Sequence, residues 1–145
     1  KGGVFCPYCR KSPHYIWRWE APLVDVEKKL KLAGYKTGSI VSVEAVGRNS
    51  SGRVEKLEFT DYSGARLMIP AKDFRLAMGA NDVRSTRFTL KVESGRLILN
   101  GLGWGHGVGM CQWGAYGLAQ KGKTAEQILK FYYPGAEIAS IDKVK

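Results

Sequence analysis

Phe88-Thr89-Leu90-Lys91-Val92-Glu93-Ser94-Gly95-Arg96-Leu97-Ile98-Leu99-Asn100 runs without a break into Gly101-Leu102-Gly103-Trp104-Gly105-His106-Gly107-Val108-Gly109-Met110-Cys111-Gln112-Trp113-Gly114-Ala115. Phe88, Leu90 and Val92 alternate with Thr89, Lys91 and Glu93, the period of two that marks a strand with one wet face. Ser94-Gly95 is the turn, and residues 96–100 return as a second strand. In the second part, glycine at every other position lets the backbone turn tightly and lets another chain come close. Cys111, Ala115, Leu118 and Ala119 then recur at helical spacing as far as Lys121, and Gly122 stops that helix. Hairpin, glycine loop and helix in this order specify an α+β fold. The loop also carries one of the two histidines, one of the three cysteines, a glutamine and two tryptophans. So much polar and aromatic chemistry on so little bulk reads as the wall of a site, not as core.

Upstream, Leu23, Val26, Leu30 and Ala33 keep helical spacing with lysines opposite, between Pro22 and Gly34, so a helix is expected over 23–33. From Ser39 the period becomes two, with Val41, Val43 and Ala45 on one face. Asn49-Ser50-Ser51-Gly52 is a turn, a strand runs over 53–60 with Leu57 and Phe59 aligned, Asp61-Tyr62-Ser63-Gly64 turns again, and 66–69 completes a meander. Pro70 opens a short helix containing Phe74, Leu76, Ala77 and Met78, closed by Gly79. Residues 1–21 read as irregular and rich in aromatics. Downstream, Thr124 and Gln127 form a capping box for a helix with Ala125, Ile128, Leu129 and Tyr132 on its apolar face, and Pro134-Gly135 ends it. Gly114, Gly117 and Ala119 are the small residues through which the last two helices are expected to pack. The expected architecture is one α+β domain over 1–145, a short antiparallel sheet and meander packed with three to four short helices.

The chain has 145 residues, 44% of them hydrophobic and 25% charged, as in an ordinary globular domain. No apolar run reaches the roughly 20 residues needed to span a bilayer. The net charge of +10 favours anionic partners. The basic residues are scattered, with no dense tract and no nucleic-acid motif, so nucleic acid is not an expected partner. A chain that starts at Lys1 reads as a processed or trimmed piece.

Residues 103–115, followed by Tyr116-Gly117-Leu118-Ala119, Gly122, Ile128-Leu129 and Tyr132-Tyr133-Pro134-Gly135, resemble the closing signature of the stage II sporulation protein D (SpoIID) family, which amidase-enhancer proteins share. Ser51-Gly52-Arg53-Val54, Phe74-Arg75-x-x-Met78-Gly79 and Ser85-Thr86-x-Phe88 follow that family's order. The resemblance implies an extracytoplasmic role on peptidoglycan, as a lytic transglycosylase that cuts after N-acetylmuramic acid in peptide-stripped glycan strands. In such a reaction one carboxylic acid protonates the leaving oxygen and then acts as base while a sugar hydroxyl closes an anhydro ring. The family's catalytic glutamate lies in an alanine-rich segment like E-A-L-K-A-Q-A-V-A-A-R-T-Y, and none of Glu20, Glu27, Glu44, Glu55, Glu58, Glu93, Glu126 or Glu137 has that context. The resemblance therefore implies the C-terminal portion of such a domain, inactive alone, with the glutamate supplied by residues outside this chain. The alternative, on the same signature, is a non-catalytic enhancer that binds glycan or an N-acetylmuramoyl-L-alanine amidase. A zinc-stabilised interaction domain is a third reading.

Within that frame His106 and Gln112 are the expected cleft-wall residues. Gly105 and Gly107 would let a sugar approach the backbone, Gln112 both donates to and accepts from sugar hydroxyls, and Trp104, Trp113 and Tyr132 are candidates for stacking on sugar faces, against the alternative of packing. Arg48, Arg53, Arg75, Arg84 and Arg87 are candidates to meet a lactyl carboxylate, against the alternative, stronger for each taken singly, of solvated charge or surface pairing. Cys6-Pro7-Tyr8-Cys9, followed by His14, has the C-x-x-C spacing of a zinc site, with Cys111 as the fourth ligand and His106 competing with His14. A Cys6–Cys9 disulfide and free thiols stay open. With four protein ligands the zinc would be structural.

Overall fold

The computed structural model describes residues 6–139. They divide into two compact units, one spanning Pro13–His106 and the other made of residues 6–12 with 107–139.

The first unit holds two three-stranded antiparallel sheets and two helices. One sheet has β1 (Ile16–Pro22), β6 (Arg96–Leu102) and β5 (Phe88–Glu93) in that order; the other is the meander β2 (Ile40–Arg48), β3 (Val54–Asp61) and β4 (Arg66–Pro70). α1 (Leu23–Leu32) follows β1, and α2 (Ala71–Met78) follows β4. The α+β class is as the sequence specifies. The hairpin of β5 and β6 closes through Ser94 and Gly95, both at positive φ (49° and 70°), the pair of conformations a type I′ turn demands.

β1 corrects the expectation of an irregular first 21 residues. Trp17, Trp19 and Ala21 alternate with Arg18 and Glu20, a period of two that the aromatic clustering obscures. In the register, Trp17 and Phe88 flank Gly101, Trp19 and Leu90 flank Leu99, and Ala21 and Val92 flank Leu97. β6 is thus central, and its inward row is covered from both sides. The Trp17 indole lies on Gly101, where a Cβ would collide with it.

The core of this unit gathers Val26 and Leu30 of α1, Phe74 and Met78 of α2, Leu57, Phe59 and Ile69 of the meander, and Leu97 and Leu99 of β6. Phe74 packs against both Phe59 and Trp19. Ala71, Phe74 and Met78 are the buried face of α2, while Leu76 points to solvent. Val41 is also outside, 47% exposed, because a bulge between Ile40 and Ser42 turns Ile40 and Val43 inward in its place. Two side chains lock the helices: Lys29 Nζ donates to the Met78 carbonyl at the C-terminal end of α2 (2.8 Å), and Glu27 Oε1 accepts from the Ile40 N–H (2.7 Å).

The second unit contains a 3₁₀ turn over Pro7–Lys11, α3 (Gln112–Ala119) and α4 (Ala125–Tyr132). Both halves of the Thr124/Gln127 capping box form. The packing of α3 departs from expectation. Cys111 is its N-cap, with Sγ accepting from the Gly114 N–H. Gly114 faces the Tyr132 hydroxyl and Cys6 Sγ, and Gly117 faces the Tyr8 ring, while Ala119 is exposed. The small residues therefore admit the N-terminal turn and one tyrosine of α4. Among the described residues of this unit, only Leu118 and Ile128 are buried large apolar side chains.

Candidate functional site

The start of the glycine loop is held by backbone groups. Trp17 Nε1 donates to the Gly103 carbonyl (2.9 Å), and the Gly103 N–H donates to Tyr15 (2.7 Å). Leu102 N–H donates to the Arg87 carbonyl (2.8 Å), and Gly105 N–H to the Arg84 carbonyl (2.8 Å). The buried Ser85 hydroxyl donates to the Leu102 carbonyl (2.8 Å) and accepts from the Arg87 N–H (3.2 Å). Gly103, Gly105 and Gly107 all sit at positive φ, 73°, 120° and 79°, where a side chain would strain the backbone. This alternation turns Trp104 and His106 outward.

Trp104 is 51% exposed. The His14 ring meets it edge-on (centroids 4.5 Å apart), and the Arg84 guanidinium lies over it at 5.7 Å. Arg84 Nη1 lies 3.1 Å from His14 Nδ1, and guanidinium only donates, so Nδ1 is an acceptor. His106 is exposed. Sequence reasoning placed His14 with the cysteines; in the structure it belongs to the first unit and supports a tryptophan.

In the second unit Gln112 opens α3 and is exposed, and Trp113 is 40% exposed with an edge-on contact to Tyr116. Trp113, Tyr116, Tyr8 and Gly117 line a mostly apolar hollow of about 150 Å³, with Lys11, Gln120 and Lys121 at its polar side. Tyr133, part of the closing signature, accepts from the Met110 N–H (3.1 Å) and holds the end of the glycine loop.

Cys6, Cys9 and Cys111 come together, their sulfurs all within 4.8 Å of one another. Cys9 Sγ is 3.2 Å from Cys6 Sγ and 2.9 Å from Cys111 Sγ, and all three are free thiols. The Tyr132 hydroxyl donates to Cys6 Sγ (3.3 Å). Burial works to raise the Cys6 thiol, but hydrogen bonds from Tyr132, Cys9 and the backbone outweigh it and leave Cys6 below its usual range. Burial, then the hydrogen bonds and charge of Cys111 and Cys6, push Cys9 up; burial and Cys6 push Tyr132 up. Three cysteine sulfurs this close are a donor set that fits zinc, which takes thiolate ligands.

Comparison with known proteins extends the likeness beyond the motifs. A SpoIID of Bacillus amyloliquefaciens is 31% identical over 96% of this chain and 38% of its own length; the amidase enhancer of Bacillus subtilis is 35% identical over 72% of this chain and 14% of its own. An uncharacterized protein of Brachyspira hyodysenteriae is 38% identical over 99% of this chain and 37% of its own length. The chain thus spans less than two-fifths of these relatives. The resemblance to SpoIID and amidase-enhancer proteins holds across most of the chain. The chain belongs to the family described as Domain of unknown function (DUF8618), whose model matches residues 9–109. Among the described residues, no helix is long and apolar enough to cross a membrane.

Proposed function

We propose that this chain is the glycan-binding portion of an extracytoplasmic peptidoglycan-active protein, a lytic transglycosylase that cleaves after N-acetylmuramic acid in peptide-stripped strands. The observation that carries the reading is the glycine loop, whose pinned backbone, with glycines at positive φ, turns Trp104 and His106 toward solvent. Trp104, steadied by His14 and Arg84, offers a flat face to a sugar ring. His106 and Gly105, in the same unit, contribute hydrogen bonds and close approach. The acid and base is a glutamate outside residues 1–145. The carboxyls here whose pKa departs from ordinary, Glu20, Asp61 and Glu126, are all held low, foremost by hydrogen bonds from Arg18, Ser63 and Lys130; a proton donor to the leaving oxygen needs the opposite shift.

Zinc is part of the same proposal. Cys6, Cys9 and Cys111 would hold it with a fourth position left for another ligand, and it would neutralise three thiolates and tie the N-terminal turn to the start of α3. Tyr132 serves that cluster through its hydroxyl more readily than it serves a sugar.

The test is incubation of the full-length protein with peptide-free glycan strands. Strands ending in anhydromuramic acid are the expected product. Trp104→Ala and His106→Ala should each cut the rate at least tenfold without lowering the melting temperature. The second reading, a non-catalytic enhancer of an N-acetylmuramoyl-L-alanine amidase, has its support in the enhancer relative. It takes over if no anhydro ends form while an added amidase is accelerated.

A further inference from the structure

Arg53, Arg75 and Arg87 converge in the first unit with no carboxylate to meet them. Among the described residues, the ion pairs involve Arg18, Lys28, Arg66, Lys91, Arg96 and Lys130, and none of these three. Half-buried Arg53 sits where the Asn49–Gly52 turn, the 84–88 segment and the glycine loop meet. Its Nη1 reaches only neutral acceptors, the Gly105 carbonyl at 3.3 Å and Thr86 Oγ1 at 3.5 Å. Arg75 donates to the Ala80 carbonyl (3.1 Å), and its buried Nε has no partner. Arg87 projects beside Gly52 and is exposed. Arg48 differs: its two Nη groups clasp the Gly52 and Phe88 carbonyls (2.9 and 2.8 Å), a bond set that fixes the turn.

The three guanidiniums lie in one another's field. Burial and then the charges of Arg87 and Arg75 pull the Arg53 proton affinity down, and burial does the same to Arg75. Gathering like charges over partly desolvated ground costs free energy, and an anion reverses the sign of that cost. Guanidinium forks match the paired oxygens of a carboxylate. Because Arg53 donates to the Gly105 carbonyl, next to Trp104, its guanidinium lies beside the exposed indole.

We propose that Arg53, Arg75 and Arg87 form a carboxylate-binding site beside Trp104, which selects acidic sugars on a glycan strand. This rests on the glycan reading above. A muramic acid ring laid on Trp104 would place its free lactyl carboxylate on Arg53 and Arg87; a strand whose carboxyls are capped as amides would bring no charge there.

The experiment measures binding of the full-length protein to peptide-free glycan strands, to the same strands with their lactyl carboxyls amidated, and to chitin oligosaccharides, at 50 and 300 mM salt. Free-acid strands should bind at least tenfold more tightly than the other two, with the gap narrowing at high salt. Arg53→Gln and Arg87→Gln should abolish the gap, whereas Lys28→Gln, on the exposed face of α1, should preserve it; melting temperatures monitor folding. Equal binding of free-acid and amidated strands overturns the carboxylate site and leaves the glycan reading standing. Failure of all three sugars to bind overturns that reading, and with it this one. Tighter binding of polyphosphate or duplex DNA through the same arginines overturns the carboxylate assignment in favour of a phosphate site.

Discussion

At the scale of single residues, the strongest constraints come from glycines and sulfurs. Gly101 lies under the Trp17 indole, so Gly101→Ala should cost about 1–3 kcal/mol through overpacking, read as a lower urea midpoint at unchanged m. The same change at Gly95, where a Cβ meets open space but φ is 70°, should cost less, because only the backbone resists. The sulfurs make a sharper prediction. The purified protein should carry one zinc per chain by elemental analysis, and Cys9→Ser should lose it, since Cys9 is the sulfur in contact with both others. Cobalt substitution should give the absorption of thiolate ligation in the parent alone. A metal-free protein with the three thiols titratable by a thiol reagent would remove zinc from the account. From the sequence Tyr132 reads as part of an apolar helical face and as a stacking candidate; its bond to a cysteine 126 positions away is set by the packing of α4.

At the scale of elements, short structures depend on their ends. α4 has eight residues, and its capping box satisfies donors that would otherwise be orphaned. Thr124→Ala should cost about 1 kcal/mol and speed amide exchange over Ala125–Tyr132. The turn between β3 and β4 rests on Asp61, whose carboxylate accepts from the Ser63 hydroxyl and from the Ser63 and Ala65 N–H groups. The Ser63 hydroxyl foremost, against a smaller opposing effect of burial and with help from backbone N–H groups, holds the Asp61 carboxyl below its usual range. A lowered folded pKa gives stability that is present above the unfolded value near about 4 and is lost as pH falls through the folded value. The advantage of the parent over Asp61→Ala in urea midpoint should therefore be full at pH 6 and shrink on acidification below pH 4. An advantage that stayed constant down to pH 2 would contradict the role given to this carboxylate. Both elements were legible beforehand because their signals are local: T-x-x-Q for the cap, and Asp-x-Ser-Gly for the turn. β1 was not, because its alternation only matters when β6 lies beside it.

At the scale of the whole molecule, the two units are stabilised by different means. The first has an extensive apolar core; the second buries Leu118 and Ile128 among its described residues and gathers three sulfurs. A unit so poor in buried apolar surface is the one that the proposed zinc would stabilise most. A strong zinc chelator should therefore abolish hydrogen-exchange protection in α3 and α4 while the strands of the first unit keep theirs. Equal loss in both units would argue against this division.

What the sequence determined by itself was everything written in short-range pattern: the α+β class, the β5–β6 hairpin, the meander, the helices, the capping box of α4, and the glycine loop as an exposed surface. These follow from periodicity, from residues that tolerate positive φ and from side chains that bond within a few positions. Tertiary structure alone decided that Trp17 covers Gly101, that a bulge turns Ile40 inward in place of Val41, that Cys111 joins Cys6 and Cys9 while His14 goes to Trp104, and that three arginines from separate segments share one field. The reason is physical. Such contacts join residues tens of positions apart, and no local period records which distant segment the chain brings alongside.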